Sequence, residues 1–211
     1  MYKKIPFNNY NLKFIPSNNQ INFFYKINGL INYKINMNKL HMTLLYVRMN
    51  KKIMKNILNI KKLEKFAKRQ LRNIIIMPEL PDKVINTLTD VFGIIYKTNM
   101  KFNNAINNIR NFLITEIIKK IKKYKYTTKY KCEKDGGVWF YIDIIRKDKI
   151  ISIIKIRSDQ LLPHISWSMY SASKKNPINV YDIRKLYRNK ELKEEISKNK
   201  LKFRKGFIEF T

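Results

Sequence analysis

A single cysteine, Cys132, stands in the 211 residues, so no disulfide can form within the chain and a disulfide-stapled scaffold is excluded. One cysteine and two widely separated histidines also leave too few ligands for a structural zinc site. Glycine and proline are sparse, at five and six, which excludes collagen-like and Pro/Gly-rich low-complexity chains. Long apolar runs are missing too: Ile74-Ile75-Ile76-Met77 falls far short of the roughly 20 residues a membrane-spanning helix needs. The opening residues, Met1-Tyr2-Lys3-Lys4-Ile5-Pro6, lack the apolar stretch of a signal peptide. The expectation is a soluble, intracellular protein, cytoplasmic by default, with no membrane partner. Acid is the remaining scarcity. Fifteen Asp and Glu face 45 Lys and Arg, a net charge of +30. AT-rich codons favour the abundant Lys, Asn, Ile and Tyr, but that bias alone does not explain a threefold excess of bases. Such a charge speaks to polyanion binding rather than to fold, and nucleic acid is its natural partner.

What is present suits one domain with a real core: 45% of residues are hydrophobic and 13% aromatic. Residues 1–20 are Asn-rich, broken by Pro6 and Pro16, and read as surface coil. Residues 21–35 place Asn28-Gly29 between β-branched and aromatic residues, a hairpin signal. A strand, Leu40 to Val47, follows. From Asn50 the period changes: Ile53, Ile57, Ile60, Leu63, Ala67 and Leu71 predict one amphipathic helix of five to six turns. Its other face is basic, either simply solvated or facing RNA. Pro81 and Asp82 suit the start of a second helix, with Val84, Leu88, Val91, Phe92 and Ile95 as its buried face. A third helix spans about Asn103 to Lys123. Strands follow at Tyr126 to Cys132 and Val138 to Ile145, and Ile150 to Ile156 fits a buried strand or a short helix. Leu161 to Met169 reads as strand, Pro177 to about Lys198 as helix, and Phe207 to Phe210 as a short final strand.

The two histidines, His41 and His164, each open the same tripeptide. Leu40-His41-Met42-Thr43-Leu44-Leu45-Tyr46 and Pro163-His164-Ile165-Ser166-Trp167-Ser168 both contain H-x-[ST] in a strand-like segment. Histidine is the side chain whose ordinary titration falls near neutral pH, so a pair is the minimum for acid/base chemistry at phosphorus. Side chains alternate along a strand, so Thr43 shares a face with His41 and Ser166 with His164. Two such strands facing each other give two proton-transfer groups and two hydroxyl donors around one cleft. By the same alternation Ser168 and Tyr170 fall on the histidine face, whereas Tyr46 and Trp167 turn toward core. Arg48, Arg157 and Lys174 lie near the motifs in sequence and are candidates to hold a flanking phosphate, with solvated surface charge as the competing reading for each. Trp139, Phe140 and Tyr141 read as core.

These motifs resemble the 2H phosphoesterase superfamily, which includes RNA 2′,5′-ligases, 2′,3′-cyclic phosphodiesterases, RNA 3′-end-processing enzymes and viral enzymes that destroy signalling nucleotides. Leu40 to Val47 is similar to its first motif and Pro163 to Ser168 to its second, including the proline before the histidine. The early first motif is closer to the viral members, and the motifs lie farther apart here than is common in the family. The resemblance implies an α+β, bilobal fold with two small antiparallel sheets facing a central cleft and helices outside. It divides the chain into a first motif lobe (about 21–75), a helical insertion (about 78–123) and a second motif lobe (about 126–211). It implies His41 and His164 as the acid/base pair, Thr43 and Ser166 as phosphate ligands, and neither metal nor cofactor. The substrate it implies is a nucleotide, cyclic dinucleotide or RNA with a phosphate that involves the 2′ oxygen. A non-enzymatic basic RNA-binding protein, such as an organellar ribosomal protein, is the alternative that the charge alone supports.

Overall fold

Strand structure begins earlier than the sequence suggested. In the computed structural model, which describes residues 6–22, 25, 40–79, 91–159, 161–169 and 188–211, Asn8–Pro16 form strand β1 rather than surface coil. Leu12 and Phe14 are fully buried there. The polar spacing of Asn9, Asn11 and Lys13 is the outward half of a period-2 pattern, and Pro16 sits at the strand end where a missing N–H is tolerated. Strand β2 (Met42–Met49) pairs antiparallel with β1 along its length.

The long basic helix is in fact two, α1 (Lys51–Ile57) and α2 (Ile60–Leu71). Asn50 and Asn59 break the run because each side chain caps a new start, accepting from the backbone N–H of Lys52 and Lys62. Strand β3 (Ile75–Glu79) follows. Val91–Lys97 form strand β4, so Val91, Phe92 and Ile95 do not lie on a helix as expected. Their apolar run is that of a strand with a partner on each edge, β3 and β8. Val84, Leu88 and the Asn28-Gly29 hairpin lie outside the described residues. Helix α3 (Met100–Ile121) is close to expectation and buries Ile109, Leu113, Ile117 and Ile121.

Strands β5 (Lys125–Cys132), β6 (Val138–Arg146) and β7 (Lys149–Arg157) form a meander, which settles Ile150 to Ile156 as strand. Lys147 and Asp148 both take positive φ (48° and 53°) in the two-residue turn between β6 and β7, as a tight hairpin of matching twist requires. Then come β8 (His164–Met169), α4 (Lys190–Lys198), β9 (Leu201–Lys202), a 3-10 turn (Phe203–Lys205) and β10 (Gly206–Phe210).

The chain is therefore mixed α+β: one large antiparallel sheet of ten strands with four α-helices among the described residues. The strand order is β5-β6-β7-β2-β8-β4-β3-β9, with β10 beyond β1. Since β1 occupies one edge of β2, both β7 and β8 pair with the other. β7 takes Val47 and Arg48, and β8 takes Met42. No helix among the described residues is long and apolar enough to cross a membrane. The main core lies on one face of this sheet, where Met42, Leu44, Ile142, Ile154, Ile156 and Ile165 meet α2 and α3.

Candidate active site

The second face of the sheet carries the histidines. Along β2 and β8, Met42, Leu44 and Ile165 are buried while His41, Thr43 and His164 are half-buried, so the motif residues point away from the core. Their relation follows from register. Met42 pairs with Ile165 across the antiparallel ladder. One residue along in each direction, Thr43 comes opposite His164 and His41 opposite Ser166. Neither strand is irregular over this stretch: β1 follows Met42 and Thr43 in step, and β4 follows His164 to Ser166 in step. Directly opposed residues have Cβ atoms roughly 5 Å apart and diagonal ones roughly 7–8 Å, which sets the two histidine Cβ atoms on that diagonal. A group the size of a phosphate fits between two imidazoles so placed.

The backbone around the pair repeats itself. The β1–β2 ladder slips between Leu12 and Lys13, leaving Leu44 as an extra residue on β2. The β4–β8 ladder slips between Phe92 and Gly93, leaving Trp167 as an extra residue on β8. Each bulge lies three residues beyond its histidine and faces the outer strand. The four strands β1-β2-β8-β4 thus have a local twofold arrangement about the Met42–Ile165 pair, and bulges of this kind re-aim side chains beside functional sites.

The bulge on β2 corrects one expectation. Beyond Leu44 the alternation on β2 changes phase: Leu45, Val47 and Met49 are buried and Tyr46 and Arg48 are not. Tyr46 therefore shares the histidine face instead of turning to core. The side chain of Ser168, which follows the slip on β8, lies outside what the structure describes. Tyr170 and Lys174 lie outside the described residues.

His164 is oriented from behind. Its Nδ1 lies 2.8 Å from the carbonyl oxygen of Leu162. A carbonyl only accepts, so Nδ1 carries a proton and Nε2 is the nitrogen left for proton transfer. Pro163 is buried and its carbonyl accepts from Tyr96 N–H at 2.8 Å, which fixes the entry to β8.

Arg48 and Arg157 both reach the histidine face, and each is tied to carboxylates. Arg48 donates to Glu133 at 2.8 Å and lies 4.2 Å above the Trp139 ring. Glu133 also accepts from Lys155 at 2.6 Å and from the Tyr141 hydroxyl. Burial alone would raise the Glu133 carboxyl, but these donors and the charges of Lys155 and Arg48 hold it below the ordinary carboxylate range. Arg157 forms a forked pair with Asp159, at 2.9 Å from Nε and 2.8 Å from Nη2, and that pairing raises the guanidinium above its ordinary value. Trp139 and Tyr141 are buried as expected, but on this face under the cations rather than in the main core; Phe140 is the one that packs on the main core.

Where β7 and β8 diverge along β2 there is a pocket of about 130 Å³. Thr43, Pro163, Ser158 and Leu161 line it on the strand side, and Asn103, Asn107 and Arg110 of α3 on the other. Arg110 donates to Asn107 at 2.9 Å, while its Nε is buried without a hydrogen-bond partner. Desolvation lowers its guanidinium below the ordinary value, against the pull of Asp159. A buried donor next to Thr43 suits a small anionic group. The sequence reading did not single out Arg110; the signal was the polar stripe Asn103, Asn107, Arg110 at helical spacing on an otherwise apolar face.

The chain finds no match among protein-family models, curated proteins or solved structures.

Proposed function

We propose that this protein is a metal-independent phosphodiesterase of the 2H type, acting on phosphates that involve a ribose 2′ oxygen. The observation that carries the reading is the register, with Thr43 opposite His164 and His41 opposite Ser166 about one buried pair. In the proposed reaction a neutral imidazole takes the proton from water or a ribose hydroxyl as it attacks phosphorus. The second imidazole, protonated, gives its proton to the leaving ribose oxygen as the P–O bond breaks. Thr43 and Ser166 donate to the non-bridging oxygens, where charge builds in the transition state. Arg110, in the pocket that shares Thr43, supplies fixed positive charge. The proposed cleft is the groove over β2 and β8, with one lobe on the β7 side and one on the β4 side.

The test is turnover by the purified protein in EDTA on four substrates: a 2′,3′-cyclic nucleotide, a 2′,5′-oligoadenylate, 2′,3′-cyclic GMP-AMP and a 3′-uridylated RNA. Cleavage of at least one, abolished by His41→Ala and by His164→Ala, is the expected outcome. Failure on all four, with RNA binding unchanged in both variants, would discard the reading in favour of a non-enzymatic basic RNA-binding protein.

A further inference from the structure

A second feature stands apart from the histidines. A surface channel of about 630 Å³ is lined by Lys65, Lys68, Arg69, Arg72, Arg204 and Lys205, six cations and no carboxylate. It is large enough for a nucleotide-sized ligand, since such sites run from roughly 300 to 1,000 Å³. All six residues are exposed, and none pairs with an acid among the described residues.

Both walls are held by the core. Helix α2 buries Leu63, Ala67 and Leu71, which turns Lys65, Lys68 and Arg72 outward along one stripe. The sole acid of that helix, Glu64, is committed elsewhere and accepts from the Phe210 backbone N–H at 2.9 Å. That bond ties α2 to β10. The opposite wall is the 3-10 turn, anchored by Phe203, whose ring packs at a tilt against Phe14 (centroids 4.5 Å apart) and Phe102 (5.6 Å). Gly206 ends the turn against β1, where an added Cβ would lie 2.3 Å from the Ile15 carbonyl oxygen. Fixed walls that hold like charges together without counter-charge disfavour the empty protein and favour a polyanion in the channel.

We propose that the α2 channel binds the phosphate backbone of a nucleic-acid strand. The cations on α2 from Lys65 to Arg72 extend over about 10 Å, more than one phosphate. The apolar surface in the channel is that of lysine and arginine stems, whereas a bilayer is bound through an inserted face of large apolar side chains, of which the channel's lining has none. No residue of the channel belongs to the histidine site or the Arg110 pocket, so the inference does not rest on the proposed reaction.

The experiment is binding of a fluorescent 12-nucleotide single-stranded RNA across a salt series. Lys68→Glu/Arg204→Glu is compared with Lys131→Glu/Lys149→Glu, which makes the same change in net charge on exposed strand residues elsewhere. The channel pair should weaken binding more than tenfold and the control pair less than threefold. The milder Lys68→Gln/Arg204→Gln should flatten the slope of log affinity against log salt by about 1.4, at roughly 0.7 per contact for a single strand. Equal losses in the two charge-reversed pairs would overturn the proposal, because binding would then follow net charge. So would a channel pair that loses binding to phosphatidylserine vesicles but not to RNA.

Discussion

Replacing Glu133 by glutamine tests whether the cation network on the histidine face of the sheet is held as described. Glu133 is about one-sixth exposed, and so is Lys155, its partner at 2.6 Å; Arg48 is one-third exposed. Glutamine keeps the shape and removes the charge, which strands Lys155 in a site that excludes most water. Removing one partner of a fully buried pair costs about 3–5 kcal/mol, and partial exposure here brings the figure to about 2–3 kcal/mol. For a chain of this length that is a fall in Tm of about 5–10 °C. Urea denaturation of wild type and variant measures it. The sign of the pH dependence is also fixed. Glu133 sits below its ordinary carboxylate value in the folded chain. Its contribution is therefore full above the unfolded value, about 4.3, and is lost as pH falls through the lower folded value. The stability gap between wild type and Glu133→Gln should be flat from about pH 6 to 8 and should close below about pH 4. The double variant Glu133→Gln/Lys155→Met should recover part of the loss, since the stranded ammonium is gone and Arg48 keeps Asp135 as an acidic partner at 3.6 Å. A loss under about 0.5 kcal/mol, or a double variant as unstable as the two singles summed, would refute this account of the network.

Three further outcomes follow from the site. Ile165→Ala, beneath the histidines and fully buried, should cost about 3 kcal/mol in chemical denaturation and Ile165→Val about 1, with near-equal losses contradicting tight packing there. Tyr46→Ala should lower kcat/KM about tenfold through KM, the size of one lost base-stacking contact, while leaving stability within about 1 kcal/mol; a large stability loss instead would return Tyr46 to the core. Arg110→Met should raise KM about tenfold or more at unchanged secondary structure by circular dichroism, and an unchanged KM would remove the pocket from the site.

Much of this was legible because period and capping are local. The three-and-four spacing of Ile106, Ile109, Leu113, Ile117 and Ile121 marked α3, and the motif strands stood out by their alternation. The failures are of two kinds. Asn50 and Asn59 are helix caps whose effect depends on which N–H groups are unpaired, and they divided a helix that its apolar stripe ran through. The strand β1 was hidden by its polar outward face, which pairing with β2 and β10 makes stable. Within the site, the residue pair and its hydroxyls were readable, but their mutual register was not. A bulge is a property of two strands. Its one sequence trace is the doublet Leu44-Leu45, where two apolar residues in succession shift the phase and carry Tyr46 and Arg48 to the histidine face. Arg110 escaped because it comes from a helix distant in sequence.

The claim at the centre is that two imidazoles act together on one phosphate. The direct measurement is the pH dependence of kcat/KM on whichever substrate is cleaved, for wild type, His41→Ala and His164→Ala. A bell-shaped profile in the wild type is predicted, and each alanine variant should keep only one limb of it at a rate reduced at least about 100-fold. A wild-type profile with a single limb, or a bell that survives in either variant, would contradict it.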